Sequence, residues 1–370
     1  MRKFLFLLIT CALPLTVSAV NADSVLALAV RANAYFMTVH PDPTTPTNVG
    51  RLRPSNLWTR GVYYEGLMQL YAVNPQPSYL QYALRWAIFH KWSPRNGLKT
   101  TNADDQCCGQ TYLELMDRAH LGDSCLLPIK SNIDNQMATG RSDYWSWIDA
   151  VQMAMPLCAQ LYKKTGDRHY LDYAMECYHW TKNVCGGGTY NRKDGLWWRD
   201  ADFVPPYREP DGKPCYWSRG NGWIYAALVR VMQTIGKEDA YYKELKHDFL
   251  SMSKALVQCQ RTDGLWNPSL LSTNYAGKEV TGSALFLYGL SWGLRNGLLK
   301  KAVYRKACDK AWDGLSACVH SDGFIGYVQG TGKQPSDSQP LSYDRKPDFD
   351  DFGVGCFLLG SCQYHLLLKD

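Results

Sequence analysis

The feature that most constrains the fold is an alternation between two kinds of predicted helix. One kind has a charged face, in segments 77–92, 167–182, 239–258 and 300–317; the other is apolar and small almost all round, as in 220–232, 282–294 and 353–367. A helix with one charged face packs its other face on the core and exposes the charged one to solvent, whereas a helix that is apolar on all sides is buried.

The spacing of these segments predicts six inner helices, each preceded by an outer helix. We expect outer helices to begin with 23–39 and to include a less regular one near 123–137, and inner helices to begin near Trp58, Asp105, Trp145, Gly220, Thr281 and Asp351. Runs with the period of a β-strand are nearly absent. The chain is therefore predicted to be all-α, a single (α/α)6 barrel over residues 20–370.

Asp-Gly pairs followed by apolar residues recur between an outer and an inner helix, at 194–197, 263–266 and 322–325, with a weaker version at 96–98. Such pairs suit tight turns that need a positive φ, and the apolar residue that follows is expected to pack onto the barrel. Turn chemistry explains these residues, and we assign them no catalytic role.

The first residues predict export. Arg2 and Lys3 precede an apolar run over 4–17, and 17–19 offers a small-residue cleavage site, so residues 1–19 read as a signal peptide and the protein as periplasmic. Lipidation at Cys11 is less well supported, because Thr10 fits a lipobox poorly. No later apolar stretch reaches about 18 residues, so no stable membrane insertion is expected.

Composition excludes some functions. The net charge is +6 with no basic run interleaved with aromatics, so nucleic acid is not an expected partner. The 13 cysteines include no C-x-x-C pair, so no metal site is expected, and Cys158, Cys177 and Cys356 fit buried free thiols. The 13 Trp and 24 Tyr suit a carbohydrate cleft, since their rings stack on sugars.

The inner helices of such a barrel begin at one rim, where their partial positive charge favours an anion. Asp149 lies there within the apolar run 144–156, so burial should raise its pKa towards that of a proton donor. The alternative is a buried carboxylate that bonds only to nearby backbone. Asp104 and Asp105 start the preceding inner helix and are either a second site carboxylate or an ordinary helix cap.

The segment 216–223 is the other candidate part of the site. Arg219 offers a planar fork for a carboxylate, Gly220 and Gly222 would let backbone approach a ligand, and Trp223 would be a stacking surface. The alternative is that Arg219 pairs with an acid of the rim such as Asp350. No histidine falls at an inner-helix start, which disfavours histidine acid–base catalysis.

Three short motifs resemble one family. They are Trp147-Ile-Asp149, the segment 153–156 (Met-Ala-Met-Pro) and the segment 219–223 (Arg-Gly-Asn-Gly-Trp). They resemble the unsaturated rhamnogalacturonyl hydrolases of glycoside hydrolase family 105 and the related unsaturated glucuronyl hydrolases of family 88, from about Asp23 onwards.

The resemblance implies removal of a terminal Δ4,5-unsaturated uronic acid from lyase-generated oligosaccharides by hydration of the vinyl ether. It implies Asp149 as general acid and base, with Asp104 (or Asp105) positioning the substrate and raising the pKa of the donor. Trp147, Arg219 and Trp223 would match substrate-binding residues. It implies no metal and no organic cofactor.

The sequence departs from the family in two places. Arg199 stands where the family often has a histidine, and a second expected histidine is missing from 137–141. We expect Arg199 to bind a substrate carboxylate, in an arrangement that suits a glucuronyl unit rather than the galacturonyl unit. Two other functions stay open: a helical-barrel glycosidase of saturated uronides and a non-catalytic glycan-binding protein.

Overall fold

The structure is a computed structural model that describes residues 20–48 and 52–370. The predicted signal peptide, residues 1–19, lies outside these residues. The α-helices of the described part are α1 (Ala22–Val39), α2 (Trp58–Val73), α3 (Pro77–Phe89), α4 (Ala103–Gln106), α5 (Cys108–Arg118), α6 (Leu127–Met137), α7 (Asp149–Thr165), α8 (His169–Asn183), α9 (Ser218–Ile235), α10 (Tyr242–Gln258), α11 (Val280–Arg295), α12 (Lys301–Ser316) and α13 (Asp351–Lys369).

The inner helices close into a ring. α2 packs on α5, α5 and the short α4 pack on α7, and the ring continues through α9, α11 and α13 back to α2. Residues on every side of α9, α11 and α13 are buried over most of their length, whereas the outer helices α1, α3, α6, α8, α10 and α12 keep exposed faces. The predicted (α/α)6 barrel is confirmed.

Two inner helices begin differently from the prediction. The second inner helix is split into α4 and α5 at Cys107. α7 begins at Asp149, four residues after Trp145, because the chain before it is extended: Trp147 forms an isolated β-bridge with Asp200, and the Ile148 N–H donates to the Arg199 carbonyl (2.9 Å). Asp149 is therefore the first residue of its helix and not part of the helix interior.

The described strands are short. Thr47–Asn48 (β1) pairs with Leu52–Arg53 (β2), and Tyr190–Asn191 (β3) pairs antiparallel with Leu196–Trp197 (β4). The β3–β4 hairpin is one of the predicted Asp-Gly turns. Gly195, Gly264 and Gly323 all have φ between 67° and 102°, and the apolar residues after each are buried. At the weaker copy, Asn96 and Gly97 also have positive φ, but Leu98 is exposed.

All twelve cysteines of the described part are free, and Cys158, Cys177 and Cys356 are buried as expected. None of the helices in residues 20–48 and 52–370 combines the length and apolar character that a bilayer crossing requires.

The close contact between α13 and α2 depends on glycine. A Cβ added at Gly355 of α13 would lie 2.3 Å from the carbonyl oxygen of Val62 in α2, and one added at Gly66 would lie 2.5 Å from the carbonyl of Gly355. Both partners are backbone atoms inside packed helices, so they have little room to move.

We therefore expect Gly355→Ala to lower the free energy of unfolding by about 1–3 kcal/mol, the usual cost of overpacking. Alanine is the better helix former, so a loss of stability would come from the contact and not from helix propensity. Thermal unfolding is the measurement, with Gly122→Ala as control, because a Cβ at Gly122 meets nothing within 4 Å. Equal melting temperatures for the two variants would contradict the expectation.

Candidate active site

Asp149 lies at the barrel mouth, at the start of α7, and is 8% exposed. The chain before it is held from two sides. Thr181 of α8 donates a hydrogen bond to the Trp145 carbonyl (2.7 Å), and the bridge between Trp147 and Asp200 ties the same segment to the loop after β4. The carboxylate therefore stands where an extended segment, a helix start and a neighbouring loop meet.

Arg199 is placed beside Asp149 by the β3–β4 hairpin. Asn221 of α9 forms two hydrogen bonds with this hairpin. Its Oδ1 accepts from the Trp197 N–H and its Nδ2 donates to the Trp197 carbonyl, both at 2.9 Å. Asn221 is completely buried. The asparagine of the 219–223 motif thus fixes the loop that carries Arg199, a role that the sequence did not reveal.

The three charged groups Asp149, Arg199 and Asp200 form a chain of contacts. Arg199 Nε donates to Asp149 Oδ2 at 3.3 Å, and Arg199 Nη1 donates to Asp200 Oδ2 at 2.5 Å. Arg199 Nη2 donates no hydrogen bond to any residue that the structure describes. With a side chain that is 19% exposed, Arg199 can present this group to a bound anion.

Burial raises the pKa of Asp149 above its ordinary value, although Arg199 and Arg219 oppose the rise. Burial also lowers the pKa of Arg199, yet Asp149, Asp200 and Asp104 together keep it above its usual range. Arg199 is therefore permanently charged. For Asp149, burial favours the protonated acid and the ion pair with Arg199 favours the carboxylate.

Asp104 and Asp105 are adjacent in α4 but differ in environment. Burial raises the pKa of Asp104 to about 7, with the charge of Asp149 adding to the rise and Arg199 opposing it. Asp105 instead forms an ion pair with Arg95 (2.6 Å) and accepts hydrogen bonds from Asn96 (3.0 Å) and Thr100 (2.6 Å).

The carboxylate of Asp105 is therefore occupied in holding the loop before α4. Asp104 is half-buried and electrostatically coupled to Asp149, so the geometry favours Asp104 as the second carboxylate of the site. The sequence could not separate the two, because adjacent residues of a helix start differ only in the direction in which their side chains point.

The guanidinium of Arg219 is not available to bind a ligand carboxylate. Its Nη1 donates to the Gln329 carbonyl (2.7 Å) and its Nη2 to the Gly330 carbonyl (2.8 Å), while the guanidinium lies over the rings of Trp217 and Phe352. The alternative pairing with Asp350 is not observed either, since Asp350 pairs with His40 at 2.9 Å. Arg219 anchors the loop that starts at Gln329.

The glycines of the same motif make room for protein and not for a ligand. A Cβ at Gly220 would lie 2.9 Å from the Trp217 ring, and one at Gly222 would lie 2.9 Å from Leu285. Trp223, predicted as a stacking surface, is 0% exposed. A ring without exposed surface cannot stack on a sugar, so this prediction is corrected: one turn below Arg219 on α9, Trp223 packs inside the barrel.

Two half-buried tryptophans replace Trp223 as candidates for stacking on a sugar at the barrel mouth. Trp147 precedes Asp149 as predicted, and Trp58 begins α2 and packs against Phe352 (ring centroids 5.3 Å apart) and edge-on to Trp223 (6.2 Å). Sequence reasoning missed Trp58 as a candidate, although its place at an inner-helix start was a signal that could have found it.

The site thus combines two coupled carboxylates with a guanidinium that still has a free donor. Such a pair retains a proton near neutral pH and can deliver it to a bound substrate, while the guanidinium attracts an anion. In the described residues, no group of three or more His, Cys, Asp or Glu side chains is arranged to hold a metal ion.

Comparisons with known proteins identify the family of the chain. The family model of Glycosyl Hydrolase Family 88 matches residues 28–368. The chain belongs to glycosyl hydrolase family 88. It is a glycoside hydrolase, and the predicted resemblance to families 88 and 105 is confirmed.

A curated relative from Formosa agariphila, an unsaturated 3S-rhamnoglycuronyl hydrolase, is 30% identical over 326 residues, which cover 83% of each chain. The structure of a family 88 glycosyl hydrolase from Bacteroides vulgatus is 30% identical, covers 94% of this chain and 100% of its own, and superposes with a TM-score of 0.85. A possible family 105 member from Salmonella enterica shares the fold at 17% identity, with a TM-score of 0.74 over 94% of this chain and 95% of its own.

The anchoring role of Arg219 can be tested without an activity assay. Arg219→Gln should leave the buried carbonyls of Gln329 and Gly330 without charged donors, each such loss costing about 1–3 kcal/mol. We expect hydrogen exchange over 329–337 to accelerate while α9 stays protected. Arg192→Gln, at an exposed arginine, is the control; unchanged exchange in the Arg219 variant would contradict the assignment.

Proposed function

We propose that this family 88 enzyme removes a terminal Δ4,5-unsaturated uronic acid from lyase-generated oligosaccharides by hydrating the vinyl ether, with Asp149 as acid and base. The observation that supports it most is the buried Asp149 at the barrel mouth, in contact with Arg199 and electrostatically coupled to Asp104. The Formosa agariphila relative suggests unsaturated rhamnoglycuronyl compounds as the first substrates to test.

In the proposed reaction Asp149 delivers a proton to C4, and the positive charge that develops at C5 is stabilised by the ring oxygen. Water then adds to C5 as the carboxylate of Asp149 takes a proton from it, so that the acid is restored. The product hemiketal opens and releases the neighbouring sugar. One water molecule is consumed, and no covalent bond to the enzyme forms.

Recognition of the uronyl carboxylate falls to Arg199 in this proposal. Its free Nη2 and its place beside Asp149 suit a bidentate or shared hydrogen bond with a carboxylate. Arg219, the other candidate, has its terminal nitrogens bound to backbone carbonyls, so it acts on the substrate through charge and through the loop it anchors.

We also propose that the protein is exported to the periplasm after removal of residues 1–19. The proposal is supported by Arg2, Lys3 and the apolar run over 4–17, which have the pattern of a signal peptide. Mass spectrometry of the mature protein tests this: an N-terminus near Val20 is expected, and retention of Met1 in the purified periplasmic fraction would contradict it.

The reaction is tested by following the ultraviolet absorbance of the conjugated double bond with a panel of Δ4,5-uronyl disaccharides and their saturated equivalents. Wild type should remove the absorbance of at least one member, and Asp149→Asn should lower kcat by about a hundred- to ten-thousandfold, as expected for loss of a general acid. Release of sugar from the saturated compounds alone would favour the glycosidase alternative. Sugar binding without turnover would favour a binding protein.

The pH dependence tests the second carboxylate. Because the pKa of Asp104 is about 7 in the free enzyme, we expect kcat/KM to fall as the pH rises through about 7, where the pair loses its last proton. Asp104→Asn should lower kcat/KM by about ten- to a hundredfold and move this alkaline limb of the pH profile to lower pH, where Asp149 alone titrates. Asp105→Asn should lower the melting temperature and leave the limb in place; the reverse result would identify Asp105 as the site residue.

A further inference from the structure

The carboxylate of Asp200 has no role in the proposed reaction, yet it is almost completely buried beside the site. Its Oδ2 accepts the short hydrogen bond from Arg199 Nη1, and its Oδ1 accepts from the Asp202 N–H at 2.8 Å. Both oxygens are thus used, and the backbone of Asp200 forms the bridge with Trp147. The side chain of Asp200 is thus held from both of its oxygens.

We propose that Asp200 is a positioning residue that holds Arg199 between two carboxylates, so that Arg199 passes from Asp149 to the carboxylate of the incoming substrate. The inference rests on the proposed function, because it requires an anionic uronyl group in the site. Its basis is the difference between the two contacts of Arg199, which are 2.5 Å to Asp200 and 3.3 Å to Asp149.

The longer contact is the one that can be exchanged. While Arg199 pairs with Asp149, the guanidinium stabilises the anionic form of Asp149 and opposes the rise in pKa that burial causes. A substrate carboxylate that takes over Nε and the free Nη2 would withdraw this stabilisation from Asp149. The proton of the carboxylate pair then moves to Asp149 at the moment when the double bond is in place.

Without Asp200, the Arg199 guanidinium would form a closer ion pair with Asp149. The hydrogen bond from Nη1 to Asp200 prevents this because it holds that side of the guanidinium away from Asp149. The other ionisable groups that face Asp200 are the Lys333 side chain, which pairs with Asp202 at 2.9 Å, and the thiols of Cys185 and Cys215. Burial raises the pKa of both thiols, so they stay neutral. Arg199 is the only cation in direct contact with Asp200 among the described residues.

The decisive variant is Asp200→Asn, which keeps the shape and removes the charge. We expect KM for the unsaturated disaccharide to rise about tenfold and the alkaline limb of kcat/KM, which reports the free enzyme, to move to lower pH, because Arg199 then pairs more tightly with Asp149. Asp202→Asn is the matched control: it removes the same charge two residues away, and its backbone N–H still bonds to Asp200. It should change KM by less than about twofold.

A double-mutant cycle separates positioning from an independent effect. If Asp200 acts through Arg199, then Arg199→Ala and Arg199→Ala/Asp200→Asn will have the same kcat/KM. Additive losses would overturn the proposal, as would equal effects of Asp200→Asn and Asp202→Asn. An unchanged pH profile with only a lower melting temperature would show that Asp200 is merely structural.

The titration of Asp149 provides a readout that does not depend on turnover. Selective ¹³C labelling of aspartate carboxyls, assigned through Asp149→Asn, follows this pKa in the enzyme without substrate. Asp200→Asn should lower it and Asp202→Asn should not. A lowered pKa in the Asp200 variant of an enzyme without activity on any Δ4,5-uronyl compound would uphold the positioning of Arg199 and count against the proposed function; an unchanged pKa would overturn the positioning itself.

Discussion

The site depends on the contact between Arg199 and Asp149, because it brings together charged side chains from two parts of the chain. One is the start of α7, which carries the acid, and the other is the loop after β4, which carries the cation. Burying a carboxylate is costly unless it is paired, and pairing it too well would destroy it as a proton donor. The 3.3 Å contact is a compromise between these two demands.

The same compromise explains why the scaffold around the contact is rigid. Asn221 fixes Trp197 through two backbone hydrogen bonds, and the bridge between Trp147 and Asp200 fixes both flanks of the contact. Neither holds the arginine side chain itself, which is set by the two carboxylates on either side. Small shifts of charge in the site can therefore move Arg199 without disturbing the helices.

The fold was predictable from the sequence because it depends on periodicity. Segments that are apolar all round must be inside, and the order of buried and amphipathic segments then leaves the helical toroid as the natural arrangement. The prediction failed where a backbone contact from far along the chain decided the outcome. Nothing near Trp145 indicates that the Arg199 carbonyl will hold Ile148 and delay the start of α7.

In the site, Asp149 was predictable, since a carboxylate within an apolar run at an inner-helix start is too enclosed to be an ordinary surface charge. Arg219 and Trp223 were recognisable as important but not for the right reason, because a motif shows which residues a fold requires and not which of their atoms face the cavity.

Arg219 has a structural task that bears directly on chemistry. Its guanidinium is buried without a salt-bridge partner among the described residues, and burial lowers its pKa. A charge in such a place is tolerated because two carbonyls and two aromatic rings receive it. Its field also reaches Asp149 and opposes the rise in the pKa of that acid. One arginine thus anchors the loop at Gln329 and limits how far burial can raise the pKa of the proton donor, while the other, Arg199, remains free to meet the substrate.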